Sequence, residues 1–315
     1  MFNPEQKTAF IDYAMASTLS PKNGSREADW VNLFNRLEEV EQDQEKDFSQ
    51  FTYKEMLDSL PLILRKTVNY QRQTISSLRG YLTWSIENKC SLDSENRLIG
   101  LTPSDVDFSK SYAMCMVKDE EQLSEYLDVV LADLNDDSGD NMYRTMLHLV
   151  FNGVQFNDVF NLKLDQVNFE NKTLTYGNNI IALSDKCCEL IAYVRDMDVI
   201  ASSQGGTAKR TKKGIKDAVT REREIVKNGY ILENTSDDRS KMKNTAITVV
   251  STKFATLKQH LEYPIAITFT SLWRSGVFYR AYQIELETGE ISLQELGDGE
   301  DYKLEYAAWK KAFSL

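Results

Sequence analysis

The sequence predicts a mainly α-helical protein with one small antiparallel β-sheet, an α+β architecture divided between two domains. Three observations support this prediction. The 315 residues suffice for about two domains, and apolar residues recur at helical spacing through most of the chain. Short β-rich runs alternate with turn residues between positions 166 and 184, as in a sheet of two or three strands.

The predicted domains are a helical one over 1–95 and a second one over 118–315, joined by a linker over 96–117. The linker prediction rests on "LDSENRLIGLTPSDVDFSK", which is rich in Gly, Pro, Ser and Asp and has no sustained period. Apolar residues make up 42% of the chain and charged residues 27%, so both domains can bury an ordinary core.

The first domain contains two helices with clear signals. Thr52 and Glu55 form a capping-box pattern, so we expect a helix to begin there and to end near Pro61. The next helix places a set of apolar residues on one face and Arg72 and Arg79 on a different arc. The apolar set is Ile75, Leu78, Leu82 and Ile86.

The second domain is expected to begin with an amphipathic helix and a buried helix. Apolar spacing marks the amphipathic helix over 123–134. The buried helix runs from Met142 to Val150 and stops at Gly153, a residue suited to a left-handed helix end. Asn157 is expected to cap a further helix that carries Asp158 in its first turn.

Beyond the predicted sheet, a helix is expected from Asp185 to about Met197. The stretch "SSQGGTAKRTKKG" then predicts a mobile loop, and "GYILEN" a short strand within a mostly helical remainder. The last predicted helix, "YKLEYAAWKKAF", is amphipathic, and Tyr306 and Trp309 are read as its core aromatics.

Composition narrows the classes of function. No apolar run reaches the length of a membrane span and no signal peptide is evident, so we expect a soluble protein in the cytoplasm, without a membrane partner. Four cysteines lack paired spacing, which predicts reduced thiols. The only histidines are His148 and His260, which argues against a histidine metal site; we expect no metal and no cofactor.

The net charge of −11 opposes nucleic-acid binding when averaged over the whole chain, but the charge is segregated. Residues 62–89 carry a net charge of +4 and residues 203–227 a net charge of +5. Two separate basic stretches favour binding to phosphates over mere surface solubility.

Three stretches, in order, resemble the boxes of the tyrosine recombinase (phage integrase) family. They are "LHLVFNGVQFNDVFNLKLDQVNF" with its Gly turn, "SLWRSGVFYRAY" in place of a His-x-x-Arg box, and "LQELGDGEDYKLEY" in place of Leu-Gly-His and the nucleophilic tyrosine. The resemblance implies a two-domain clamp with a helical core-binding domain and a catalytic-like domain. Overall size and pattern are also similar to recombinase-like repressors of SPbeta-type Bacillus prophages.

The resemblance also shows where the chain departs from an active recombinase. Gln155 stands where the first arginine is expected, Ser271 replaces the box histidine, and Asp298 replaces the histidine after Leu-Gly. The hairpin lysine position falls in Tyr176–Asn179, which has no lysine. Arg274 and a candidate tyrosine remain. That tyrosine is Tyr306 or, as the second choice, Tyr302.

Loss of one charge-stabilising donor costs about 10²–10³ in rate, and loss of a general acid about 10²–10⁴. Four vacancies therefore predict an inactive enzyme homologue with no catalytic residues. The expected function is sequence-specific binding of double-stranded DNA as a transcriptional regulator, a repressor that maintains prophage lysogeny on the bacterial nucleoid. The candidate phosphate contacts are Arg72, Arg79, Lys209, Arg210, Lys212, Lys213 and Arg274.

Two alternative functions stay open at this stage. One is an active site-specific recombinase with a rearranged site, and the other is a regulatory module that works through protein contacts only. The C-terminal tail can pack on its own chain or on a second copy, so a homo-oligomer is one expected partner and a small regulatory protein another.

Overall fold

The computed structural model describes residues 1–16, 24–63, 67–131, 137–203, 220–235, 238–260, 267–296 and 300–315. The helices are α1 Pro4–Ala16, α2 Gly24–Gln44, α3 Tyr53–Ile63, α4 Val68–Glu87, α5 Ser109–Cys115, α6 Glu120–Leu131, α7 Asp137–Phe151, α8 Asp185–Asp196, α9 Arg239–His260, α10 Phe269–Thr288, α11 Leu293–Leu296 and α12 Glu300–Ala312. The strands are β1 Val167–Asn168, β2 Thr173–Tyr176, β3 Asn179–Ala182, β4 Val199–Ser203 and β5 Thr220–Glu224. The predicted fold class, mainly α with a small antiparallel sheet, is confirmed.

The chain forms two compact units. Unit 1 contains Met1–Tyr112 together with Asp298–Leu315, and unit 2 contains Ala113–Gly297. The boundaries of these units differ from those of the predicted domains. Most of the predicted linker and the whole last helix belong to unit 1. The Arg79 side chain donates hydrogen bonds to two carbonyl groups between positions 98 and 101, which ties that part of the predicted linker to α4.

Unit 1 is built around aromatic side chains and one buried polar cluster. Phe10 packs edge-to-face on Tyr81, with ring centroids 5.1 Å apart. Beside these rings Lys7 is fully buried and forms an ion pair with Glu41, which is buried as well. Asp47 completes the cluster by accepting a hydrogen bond of 2.8 Å from the Tyr81 hydroxyl. Charges buried away from water need such partners, so this cluster fixes how α1, α2 and α4, which carry Lys7, Glu41 and Tyr81, pack together.

The two predicted helices of the first domain are present. Thr52 and Glu55 form the expected reciprocal bonds, and the backbone N–H of Thr52 lies 2.7 Å from the Glu55 carboxylate. Helix α3 contains Pro61 and ends close to it, at Ile63. In α4 the predicted apolar face is buried at Ile75, Leu78 and Leu82 and partly buried at Ile86.

The last helix, α12, lies in unit 1, where it packs against α4. Tyr306 and Trp309 are buried, and their stacked rings have centroids 5.9 Å apart, so their predicted role as core aromatics is confirmed. The Glu305 carboxylate accepts a hydrogen bond of 2.8 Å from the backbone N–H of Val68, the first residue of α4. The tail therefore packs on its own chain in this structure.

Unit 2 is organised around α7, which packs against α6, α8 and α10. The predicted helices from Leu123 and from Asp185 are present as α6 and α8. The three-stranded antiparallel sheet has the order β1-β2-β3, as the alternating runs predict. Leu174 is its fully buried centre.

Two local expectations for unit 2 are wrong, and one element was not predicted. The helix expected after Asn157 is only a 3₁₀ turn over Val159–Asn161, and the N-cap is Asp158, whose side chain makes no capping bond. The "GYILEN" stretch forms no strand, only an isolated bridge between Tyr230 and Lys163. The sequence interpretation also missed the antiparallel hairpin of β4 and β5.

None of the helices in the described part of the chain combines the length and apolar character that a membrane crossing demands. Within the same ranges no cluster of His, Cys, Asp and Glu side chains has the arrangement of a metal site.

Candidate nucleic-acid interface

The Gly153 turn ends α7 as predicted. Gly153 has a φ of 116°. Its N–H donates to the Val150 carbonyl at 3.1 Å, and the Val154 N–H donates to the Leu149 carbonyl at 3.0 Å, which is the bonding pattern of a Schellman motif. Gln155, at the position of the expected arginine, follows directly and is exposed.

The first and second sequence boxes meet in unit 2. The Trp273 indole on α10 donates to the Gly153 carbonyl at 2.9 Å, and Arg280 donates to the Phe151 carbonyl at 3.0 Å. One turn before Arg280, Gly276 lies so close to α7 that an added Cβ atom would be 1.7 Å from the Phe151 oxygen. The first box, which contains the end of α7, is therefore in tight contact with the second box, which lies on α10.

Aromatic stacking joins the loop after Gly153 to the beginning of α10. The rings of Phe156 and Phe269 have centroids 3.7 Å apart and planes inclined by 17°. This contact places Gln155 and the N-terminus of α10 on neighbouring parts of unit 2.

Ser271, at the position of the box histidine, caps α10. The Thr268 N–H donates to Ser271 Oγ at 2.8 Å, and the Ser271 N–H donates to Thr268 Oγ1 at 3.1 Å. This reciprocal pair satisfies two backbone donors at the helix start. Ser271 thus has a structural role here, which the spacing of the family boxes did not reveal.

The hairpin position of the missing lysine is next to Gln155. Tyr176, the last residue of β2, donates its hydroxyl hydrogen to the Asp158 carboxylate, and the Gln155 backbone amide binds the same hydroxyl. Burial and the Asp158 carboxylate raise the pKa of Tyr176 to about 12. A neutral phenol therefore stands where a cationic hairpin side chain was expected.

The remaining positions of the degenerate site belong to different units or lie outside the described residues. Arg274 lies on α10, half-buried, one turn from the Thr268–Ser271 cap. Tyr306 belongs to unit 1, where it is only 1% exposed, and Tyr302 is on the same helix. Asp298 lies outside the described residues.

Of the predicted phosphate contacts, the two on α4 differ in their surroundings. Arg72 is half-exposed and forms a bidentate pair with Asp301, with bonds of 2.6 and 2.8 Å. Arg79 is partly buried and donates to the carbonyls of Leu98 and Leu101 at 3.1 and 3.2 Å. The predicted contacts Lys209, Arg210, Lys212 and Lys213 lie outside the described residues.

A buried hydrogen-bond network centred on His148 and Glu120 lies beside α7. His148 is 1% exposed, and its Nδ1 lies 2.7 Å from a Glu120 carboxylate oxygen, which also accepts a bond of 2.6 Å from the Ser184 hydroxyl. Burial raises the pKa of Glu120, but the bonds from His148 and Ser184 outweigh it and leave that pKa below its usual value. His148 therefore joins α6, α7 and the start of α8.

Sequence reasoning expected helices in this part of the chain but did not single out α9 as a binding element. Its 22 residues, "RSKMKNTAITVVSTKFATLKQH", contain five Lys and Arg and no Asp or Glu. One side of the helix is a buried stripe of Met242, Ala246, Val250 and Phe254. The opposite side, here called the α9 outer face, exposes Lys241, Asn244, Thr245, Thr248, Ser251 and Thr252. A scan for acid-free helical segments would have found it.

Comparisons with known proteins agree with this arrangement. Residues 1–87 match the family model described as "MrpR, N-terminal core-binding domain", and residues 132–313 match "MrpR, C-terminal catalytic domain". No curated protein matches the chain.

Among solved structures, a crystal structure of XerA recombinase is 12% identical, with 99% of this chain and 97% of that one covered and a TM-score of 0.36. The Tn1549 transposon integrase in complex with circular intermediate DNA is also 12% identical, with 95% and 94% covered and a TM-score of 0.34. The chain belongs to the MrpR family, with an N-terminal core-binding domain over 1–87 and a C-terminal domain over 132–313 that matches the family's catalytic domain.

Proposed function

We propose that the protein is a sequence-specific double-stranded DNA-binding regulator of transcription, a prophage repressor built on a recombinase-like fold that no longer cleaves DNA. The α9 outer face carries this proposal. Within a chain of net charge −11, α9 is a segment with five cations and no acid, which gives a positive local potential, and Lys241 is exposed on the outer face itself. Phosphate attraction needs that local potential and does not depend on the net charge of the chain.

The chemistry of the α9 outer face also suits DNA. An α-helix fits the major groove, where an asparagine can bind the edge of adenine through two hydrogen bonds and threonines can contact bases or the thymine methyl group. Lysines beside them contact phosphates and fix the position of the protein on the duplex. The face combines Lys241 with Asn244 and three exposed threonines.

The absence of strand cleavage is proposed from the positions of the remaining groups. Gln155 cannot provide a charged bidentate clamp, and Ser271 is engaged in the α10 cap. Tyr306 is buried in unit 1, so its hydroxyl is withdrawn from solvent. On this proposal the protein holds a DNA site and blocks transcription there without catalysing phosphoryl transfer.

The DNA-binding part is tested by Lys241→Glu combined with Asn244→Ala. We expect this variant to bind duplex DNA at least tenfold more weakly, since it loses a phosphate contact and a base contact worth about 1–3 kcal/mol. The control is Lys186→Glu, which makes the same charge change on α8, where Lys186 is exposed. An equal loss in the control would show a general charge effect and would remove α9 from the interface.

The regulatory part is tested by pulling down genomic fragments and sequencing them. A short recurrent element upstream of genes, with a footprint of the protein, is the expected result. Binding affinity must also fall steeply with salt, with a slope of several units for about 6–10 phosphates contacted. A response independent of salt would favour a module that works through protein contacts, which the acidic net charge would suit.

The loss of cleavage is tested with a suicide DNA substrate that traps covalent protein–DNA adducts. No adduct is expected. An adduct that disappears in Tyr306→Phe, or in Tyr302→Phe, would establish an active recombinase and overturn this part of the proposal.

A further inference from the structure

Helix α12 presents two acids to two anion-binding groups of α4. Asp301 forms the bidentate pair with Arg72, and Glu305, one turn later, accepts the bond from the Val68 N–H. Val68 and Arg72 are likewise one turn apart on α4. Each of the two acids of α12 thus faces one hydrogen-bond donor of α4.

The two contacts differ in accessibility. Glu305 is 3% exposed, so its bond to Val68 belongs to the interior of unit 1 and holds α12 in place. The Arg72 and Asp301 side chains are 49% and 36% exposed, and their pair faces solvent. An exposed ion pair contributes little to stability, so another anion can displace the carboxylate while α12 stays docked.

A phosphate group is the anion whose geometry fits this exchange. The planar fork of a guanidinium binds carboxylate and phosphate with the same pair of parallel hydrogen bonds. Arg79 is unsuited, because its guanidinium serves two backbone carbonyls and is partly buried. Arg72 is the cation of α4 whose present partner is itself an exchangeable anion.

We infer that Asp301 is an intramolecular competitor for a DNA backbone phosphate that binds Arg72. This inference rests on the proposed DNA-binding function. In free protein the carboxylate orients the guanidinium and neutralises it; on DNA the phosphate takes its place and Asp301 returns to solvent. The pair thereby weakens binding to any duplex and leaves the choice of sequence to other contacts, since phosphate contacts carry no base information.

The test is a double-mutant cycle between Asp301→Asn and Arg72→Ala, read by fluorescence anisotropy with a labelled duplex of mixed sequence. We expect Asp301→Asn to strengthen binding about two- to fivefold, the range of an exposed ion pair. The slope of log K against log[salt] should be unchanged in Asp301→Asn, since Arg72 contacts the phosphate in both complexes, and should fall by about 0.9 in Arg72→Ala, which loses one phosphate contact. In the Arg72→Ala background the gain in affinity from Asp301→Asn should vanish.

The control is Asp93→Asn, which breaks the Arg97–Asp93 pair, a bidentate pair of similar exposure in unit 1. Removal of any acid can strengthen binding through net charge alone, so an equal gain in Asp93→Asn, or a gain that survives in Arg72→Ala, would overturn the inference. No gain at all would overturn it too.

Hydrogen exchange of residues 300–312 in Asp301→Asn gives an independent check, because the inference requires α12 to remain docked. A gain in affinity with lost protection there would mean that helix release, and not exchange of anions, causes it. Failure of the proposed function would be distinguished by a different result, which is the absence of salt-dependent binding of the wild-type protein to the duplex.

Discussion

Gly276→Ala is expected to destabilise unit 2 strongly, because α10 packs on α7 at this glycine. The added Cβ would lie 1.7 Å from the Phe151 carbonyl oxygen, about 1.3 Å short of the 3.0 Å below which real Cβ contacts essentially never occur. The obstacle is backbone, which cannot rotate away as a side chain can. Overpacking of a core typically costs about 1–3 kcal/mol, and a backbone obstacle places this substitution at or above the upper end.

The expected net loss is about 3 kcal/mol, even though alanine in a helix is about 1 kcal/mol better than glycine. In a unit of this size, 1 kcal/mol corresponds to about 2–4 °C in melting temperature, so the transition of unit 2 should fall by about 6–12 °C. Thermal unfolding measures the shift. Hydrogen exchange locates it, and faster exchange is expected in α7 and α10 while unit 1 is unchanged.

The matched control is Gly80→Ala on α4, where an added Cβ meets nothing within 4 Å. The same substitution there should stabilise unit 1 by about 0.5–1 kcal/mol through helix propensity alone. If Gly276→Ala melts like the wild type, with unchanged exchange in both helices, the close contact between α7 and α10 does not exist and the reasoning is refuted.

Three further predictions concern charge. Lys7→Met should destabilise unit 1 by about 3–5 kcal/mol in chemical denaturation, because it leaves the buried Glu41 without its cation; an effect below about 1 kcal/mol would mean that the pair is open to water. The folded-state pKa of Glu120 is lower than its usual value of 4.5, so the carboxylate stabilises unit 2 fully above pH 4.5 and this stabilisation is lost as the pH falls through the folded-state pKa. Glu120→Gln should therefore reduce the loss of unit 2 stability at acid pH. Identical profiles of stability against pH in the variant and the wild type would contradict this prediction. Lys212→Glu with Lys213→Glu should weaken binding to all duplexes alike, and wild-type affinity in an anisotropy titration would exclude this segment from the interface.

Local signals in the sequence predicted local structure well. The Thr52–Glu55 capping box and the Gly153 turn follow from bonds between residues a few positions apart, and their geometry is as expected. Helical periodicity predicted α4, α6 and α8 for the same reason. By contrast, the hairpin of β4 and β5 was missed because β5, "TREREI" with its neighbour, is almost entirely charged and carries no apolar alternation.

The candidate site was less predictable because its partners are distant in the sequence. The pairing of Arg72 with Asp301 joins positions 229 residues apart, and no local pattern specifies it. The burial of Tyr306 in unit 1 likewise depends on where the end of the chain packs. The capping pair of Thr268 and Ser271 joins residues three positions apart and so is a local pattern. Ser271 was instead interpreted as the replacement for the histidine of the His-x-x-Arg box.

Because α12 belongs to unit 1, the chain contributes to that unit twice, before and after unit 2. During synthesis, residues 1–112 leave the ribosome first, but the helix that buries Tyr306 and Trp309 emerges only after all of unit 2. A fragment cut near residue 95 or 112 would leave the partners of those two rings uncovered. Residues 1–112 therefore reach their final packing only after α12 has been synthesised.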